Sequence, residues 1–493
     1  MPDLKLATLA LLGAALAACT VGPDYVRPTP ALPAHFAQAP HAAGDDARAG
    51  DAGGAGSAAA APADAEFWRS FDDALLTRLV DGALRANNDL RVALANYDRA
   101  NALLRESGFD RFPTVTAGAD ASDALASAGQ MPGVPRSQRD GRSYSAEVGV
   151  TWELDLFGRV RRSIEAQRAD TRASAADLRA LQVAIVGEVA ASYVGLRGLQ
   201  EQLRVAHANA DNQRNTLRLV DARVSAGRGT EFDSSRARAQ LETTLSRVPA
   251  LQAEVAVQMH RLAVLTGKTP DTLIQVLEAP APLPALPARI AAGTPGELLR
   301  RRPDIAAAEQ RLHAATARIG VATADLFPRF TLGGLIGSQA IDGSALFERD
   351  SETHLAALGI DWSFLDIGRV RARIAATDAE AAANLARYRQ TVLLALEDTE
   401  NAMVRLAHAR SEDRHLEQAA GDSARAAELA RTRFDAGATG LLDVLDAERS
   451  RLQAEDAFAQ GRTRAVAGAI ALYKALAGGW PQRIRRTARP EHT

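Results

Sequence analysis

Apolar residues recur every three or four positions through two long stretches, 158–226 and 368–436, the spacing that lays one apolar stripe along an α-helix. In the first stretch Leu178, Leu181, Ile185, Val189, Tyr193, Leu196, Leu199 and Leu203 keep this step, with mixed Arg and Glu on the other faces, as in a coiled coil. The segment after it repeats the step through Leu241, Leu245, Val248, Leu251, Val255, Met259 and Leu262. The pattern therefore predicts two long helices, each followed by a return helix. At 1.5 Å per residue each long helix reaches about 100 Å, several times the width of an ordinary domain. Gly227-Arg228-Gly229-Thr230 and Gly437-Ala438-Thr439-Gly440 mark the far turns, with Gly as the residue that ends one helix and Thr or Gly starting the next.

The chain is built twice. An offset of 210 carries Trp362 onto Trp152, Gly368 and Arg369 onto Gly158 and Arg159, Gly437 onto Gly227, and Asp443 onto Asp233. Upstream the offset is 215: Arg302-Pro303-Asp304 answers Asn87-Asn88-Asp89, each placed to cap a helix, and Phe327-Pro328 answers Phe112-Pro113. The first half thus holds five more residues (215 less 210), placed in the Gly, Pro and Ser-rich loop around Gly129 to Arg142.

A period of two replaces the helical period beside these loops. Tyr144, Ala146, Val148, Val150, Trp152, Leu154 and Leu156 point one way, and Ser145, Glu147, Gly149, Thr151, Glu153 and Asp155 the other. The second half repeats this with Ala356, Leu358, Ile360, Trp362 and Phe364 against Gly359, Asp361 and Ser363. Alternation alone also fits a soluble hairpin on a core. The repeated Trp and a run longer than the about 9–11 residues a tilted strand needs favour a bilayer, with Trp152 and Trp362 facing lipid. Hairpins are expected at about 112–124 with 143–157 and at 327–339 with 353–366. Four strands cannot close a barrel, and open edges are not tolerated in lipid. Three copies would supply twelve strands, making a cyclic trimer the folded state.

The N-terminus changes the setting. Lys5 and the apolar run Leu6 to Leu16 are too short for a membrane span and read as a signal peptide, 1–18. Leu16-Ala17-Ala18-Cys19 matches the bacterial lipobox, so Cys19, the single cysteine, is expected to carry N-acyl and S-diacylglycerol groups; Thr20 in place of Asp points to the outer membrane. A Pro-rich segment and an Ala, Gly, Asp and Pro tract complete a tether, 19–65. The first repeat follows at 66–281, the second at 282–480, and a basic tail with Arg483, Arg485, Arg486 and Arg489 at 481–493. Apolar residues are 47% of the 493 but aromatics 5%, which shifts the apolar character to Ala and Leu and suits close-packed helices. A formal charge of −2 supplies no basic field for nucleic acid.

Catalytic chemistry is not expected. Thr266-Gly267-Lys268-Thr269 imitates a phosphate loop, yet Leu262 stands where its first glycine belongs and the segment ends a helix. The nine histidines lack metal-ligand spacing, and no triad pattern stands out. The residues thus predict no enzyme, metal or cofactor.

CTVGPDYVRP, WRSF, NNDLRVA, RRPDIAAAEQRL, IGVATADLFPRF, the joints WELDLFGRVR and WSFLDIGRVR, and LLDVLDAERS together resemble the outer-membrane factors of tripartite efflux systems, of the TolC and OprM type, in their lipid-anchored NodT-like branch. The resemblance implies a mainly α fold with a membrane β-barrel portion: an internally duplicated α-helical barrel plus a shared 12-stranded barrel in a homotrimer. It implies a passive exit duct that meets a periplasmic adaptor protein and an inner-membrane pump, usually of the resistance-nodulation-division class. It places an acidic gate at Asp443 and Asp446, an apolar collar at Leu442, and a tip acid that holds neighbouring hairpins together at Asp233. Some members carry Arg at Thr439 and Tyr at Phe434. A protein-secretion outlet and a pore-free structural lipoprotein are the alternatives.

Overall fold

The computed structural model describes residues 20–38, 66–287 and 290–478. The expected signal peptide, Cys19, most of the tether and the tail arginines lie outside the described residues. Among the described residues the protein is mainly helical with one antiparallel sheet. Its contacts form two units, each drawing on both sequence halves: Met1–Thr29, Asn96–Ala175 and Ala307–Arg389; and Pro30–Ala95, Ala176–Ala306 and Gln390–Thr493.

Helices begin where the sequence offers an acceptor for their first amides. Asp73 caps α1 (Ala74–Ala86), its Oδ1 accepting from the Leu75 and Leu76 amides at 2.8 and 2.9 Å. Asn87 does the same for α2 (Asn88–Phe109) through the Leu90 amide. The first sheet strands, β1 (Thr114–Leu125) and β2 (Asp140–Leu154), lead into α3 (Arg159–Ser225). The return helix comes in two pieces, α4 (Glu231–Leu245) and α5 (Arg247–Leu265), where one helix is expected. The cause is Pro249, which has no N–H to offer the Leu245 carbonyl; Ser246 keeps right-handed helical dihedrals between the pieces. After the short α6 (Ile274–Leu277) and α7 (Pro295–Arg301), α8 (Pro303–Ala324) leads to β3 (Arg329–Ala340) and β4 (Glu352–Asp361). The second long helix, α9 (Ile367–Asp435), and its unbroken return α10 (Leu441–Ala475) are the last elements among the described residues.

The first unit holds the sheet, in the order β1-β2-β3-β4. Its register aligns Trp152 with Leu332 and Leu358, Leu154 with Phe330 and Ile360, and Val115 with Val150, Gly334 and Ala356. One face is therefore apolar across the strands in these rows, and turns polar toward the other end of the sheet, where His354, Ser338 with Glu352, and Asp123 with Arg142 share it. The opposite face carries Glu147, Gly337 and Thr353, and Asp120, Ser145 and Gln339, with Leu335 beside Leu355 as the apolar exception.

The strand ends differ from expectation in a consistent way. β2 stops at Leu154, not 157, because Asp155 turns from pleat to cap, accepting from the Val160 and Arg161 amides at 3.0 and 2.9 Å. β4 stops at Asp361, so Trp362 lies one residue beyond the strand to which the alternation assigns it, packed 5.3 Å from Phe364. Trp152 lies within β2. Each indole N–H donates at 3.0 Å to a carbonyl two residues past the end of a helix, Trp152 to that of Arg111 after α2 and Trp362 to that of Leu326 after α8.

In the second unit part of the expected stripe is buried, while Leu181, Leu199, Leu203, Leu245, Val248 and Leu251 are half-buried. Leu178, Ile185, Val189, Tyr193 and Leu196 on α3, and Leu241, Val255, Met259 and Leu262 on α4 and α5, are buried. Phe67, Trp68 and Phe71 join them, with Phe67 stacked on Tyr473 at 4.7 Å. The Tyr193 hydroxyl donates to Asp73 Oδ2 at 2.7 Å, and burial pushes its pKa up to about 12. Asp73→Ala is expected to cost about 2–4 kcal/mol, because it removes a cap and strands a buried hydroxyl. Tyr193→Phe, which leaves the cap intact, should cost about 1 kcal/mol. Denaturant midpoints of the purified protein check the order, and equal losses would contradict it.

Candidate functional site

The two far turns are built alike. α3 ends at Gly227, φ +71°, and α9 at Gly437, φ +73°, a left-handed conformation that glycine adopts without strain. Each closes with the same pair of bonds: the Gly227 amide donates to the Val224 carbonyl and the Gly437 amide to that of Phe434, both at 2.9 Å, and the Arg228 amide donates to the Arg223 carbonyl and the Ala438 amide to that of Arg433, both at 2.8 Å. Gly229 is tight, since a Cβ there would lie 3.1 Å from Val224 Cγ2. Gly440 is the residue before α10.

Asp233 and Asp443 occupy the same place in the two turns. Asp233 Oδ2 accepts from the Thr230 amide and hydroxyl at 3.1 and 2.8 Å, while the Thr230 hydroxyl oxygen accepts from the Asp233 amide. Asp443 Oδ2 accepts from the Thr439 hydroxyl and, at 3.2 Å, from the Gly440 amide. Both carboxyls are held below the ordinary aspartate range, Asp233 by the Thr230 hydroxyl and amide and Asp443 by the Thr439 hydroxyl and the Gly440 amide. Both are also acids in a first helical turn, where the dipole favours negative charge.

Leu442, Asp443 and Asp446 share the exposed side of α10, with Leu442 51% exposed and Asp446 paired to Arg449. Val444 and Glu448 point inward instead, 3% and 7% exposed. Glu448 is a residue the apolar spacing did not single out: its carboxylate accepts from the Thr216 hydroxyl on α3, at 3.3 and 3.2 Å, and from Arg431 on α9. Its signal was a charge four residues after Val444, on the inward stripe. Among the described residues, no group of three or more His, Cys, Asp or Glu side chains is arranged to hold a metal ion.

The family model described as outer membrane efflux protein matches residues 79–268 and 294–478. The chain belongs to that family. The pyoverdine export outer membrane protein OpmQ of Pseudomonas putida is 34% identical over 420 residues, spanning 85% of this chain and 88% of that protein. The outer membrane protein OprJ of Pseudomonas aeruginosa is 33% identical over 484 residues, spanning 96% and 95%. The solved structure of the outer-membrane channel OprN is 40% identical, with a TM-score of 0.83 over 94% of this chain and all of that one. This outer membrane efflux protein therefore resides in the outer membrane and has the mainly helical fold with a β-barrel portion that its motifs imply. Where some members carry a tyrosine it has Phe434, and the ring face receives the Arg223 guanidinium at 4.3 Å. Where some carry an arginine it has Thr439, whose hydroxyl turns inward to the cap on Asp443.

Proposed function

We propose that three copies of this chain join their sheets edge to edge into one twelve-stranded barrel, and that their long helices continue it as a hollow tube through which small molecules leave passively. The observation that carries this reading is the sheet. Its apolar face runs across all four strands, yet β1 and β4 each have a neighbour on one side only among the described residues. Backbone groups in lipid need partners, so a membrane sheet of this kind calls for further strands at both edges. Twelve strands from three copies leave no edge.

Leu442, Asp443 and Asp446 would then form rings at the periplasmic tip, and Asp233 would hold neighbouring hairpins. Rings of like charge favour cations and oppose anions. A periplasmic adaptor and an inner-membrane pump of the resistance-nodulation-division class would deliver the cargo and the energy; the export role in the name of OpmQ supports such partners. Acylated Cys19 would sit beside Thr20, which packs on Gly158 where β2 gives way to α3.

In planar lipid bilayers the purified protein should give discrete, cation-preferring current steps; a bilayer without steps would contradict the duct. The pH dependence has a definite sign. A carboxyl held low keeps its charge until pH falls through its lowered pKa, so both the charge and the cap it stabilises persist above that point and fade below it. In an Asp446→Asn background, cation preference should hold from pH 7 to pH 5 and fall with a midpoint below about 3.9, the ordinary aspartate value. A midpoint above that value would contradict the capped state of Asp443.

A further inference from the structure

Three helices of the second unit turn one face each onto a cavity of about 480 Å³. On α3 the lining positions are Ala180, Val183 and Ala184, three and four residues apart; α9 does the same around Ala402 and α10 around Ala475, and Pro303 comes from the start of α8. The volume lies within the about 300–1,000 Å³ of small-molecule sites. Its apolar wall is made largely of alanine, which loses no rotamer freedom when a ligand covers it. The charged lining is unevenly committed. Arg302 holds both carboxylates of the cavity, Asp304 at 2.7 Å and Asp398 at 3.4 Å, and also donates to the Ala475 carbonyl at 3.1 Å. The side chains of Arg405 and Lys474 have no hydrogen bond or ion pair among the described residues, and both are exposed. Lys474 is placed all the same: its stem lies on Gly187 of α3, where a Cβ would stand 3.1 Å from its Cδ and 3.3 Å from its Cγ.

We infer that this cavity is a binding site for a small organic anion, an apolar body carrying one carboxylate, with the body against the alanine wall and the carboxylate on Arg405 and Lys474. The charges choose the class. The lining holds three cations and two carboxylates, so one positive charge is left over, and it is left at the two side chains that have no partner. An organic cation would meet that excess and find both carboxylates already taken by Arg302. A neutral molecule would gain the apolar contact alone. A carboxylate gains both, and Arg405 offers it two parallel N–H donors where Lys474 adds a point charge. The chain's own tail, which follows Ala477 closely in sequence, carries Arg483, Arg485, Arg486 and Arg489 and so has the wrong sign for the place. Because both cations stay in contact with water, their part is to select the ligand's charge more than to hold it tightly.

The test is equilibrium dialysis of naphthalene-2-carboxylate against the purified protein in non-ionic detergent, with 2-naphthamide as its neutral counterpart and protein-free micelles as the blank. The parent should take up one carboxylate per chain, saturably, and bind the amide about fivefold more weakly. Arg405→Gln and Lys474→Gln should each weaken the carboxylate about fivefold while amide binding stays within about twofold, a split that damage to the fold would not produce. Ala184→Leu, which fills the wall, should weaken both ligands alike. No saturable uptake by the parent, or equal uptake of carboxylate and amide, overturns the inference. Uptake that appears only after residues 481–493 are removed assigns the cavity to the tail and overturns it too. None of these outcomes depends on conductance, so a failure here leaves the duct standing, and a silent bilayer leaves this site standing.

Discussion

Alanine at both Asp443 and Asp446 is expected to raise single-channel conductance severalfold and to remove most of the preference for cations. Two effects add. Removing the charges takes away the acidic rings proposed at the tip, which would repel anions. Asp443→Ala also releases the Gly440 amide and the Thr439 hydroxyl, loosening the turn that starts α10. Asp443→Asn separates them, since an amide oxygen can still accept both hydrogen bonds while the charge is gone. It should lower cation preference with little change in conductance. Reversal potentials across a salt gradient and step currents measure both, and parental values in the double alanine variant would remove these residues from the gate.

Gly158→Val should detach the N-terminal segment from the first unit. Gly158 has φ +82°, which a β-branched residue adopts only under strain, and a Cβ there would lie 2.6 Å from Thr20 Cγ2 and 3.0 Å from Thr20 Cα. The backbone strain alone is worth about 1–3 kcal/mol. What is lost is a laced segment. The Val21 amide donates to the Phe157 carbonyl, and buried Arg162 reaches Asp24 at 2.6 Å and Glu165 at 2.9 Å. Tyr25 stacks on His313 at 4.3 Å, and Arg27 pairs with Glu309 at 2.7 Å. In Gly158→Val, proteolysis within residues 20–29 should accelerate at least tenfold. At Gly368, the counterpart in the second half, an added Cβ would meet nothing within 4 Å among the described residues, so Gly368→Val should leave the cleavage rate near parental. Equal rates in the two variants would show that Thr20 does not depend on Gly158.

Much of this architecture was legible because its signals are local. Gly227 and Gly437 mark turns that only a left-handed residue completes easily, and Asp73 and Asn87 sit where first-turn amides need acceptors. The offset of 210 between the tryptophans reappears as two indoles making the same kind of bond, although only Trp152 lies inside a strand. Alternation past Leu154 was misleading because an aspartate suits both a water-facing pleat position and a cap, and Asp155 serves as the cap. Pro249 interrupts the return helix without disturbing the apolar step on either side, so periodicity passed over it. Contacts between distant residues left no trace in the pattern: Thr20 against Gly158, Tyr25 on His313, and Glu448 between Thr216 and Arg431 emerge only when the chain is folded.

The shared barrel is tested most directly by the mass of the purified protein in detergent, measured by native mass spectrometry on material that retains its sheet by circular dichroism. Three copies per particle is the predicted result. A particle of one copy with the sheet intact would contradict the account, because β1 and β4 would then stand open where lipid requires them to be paired.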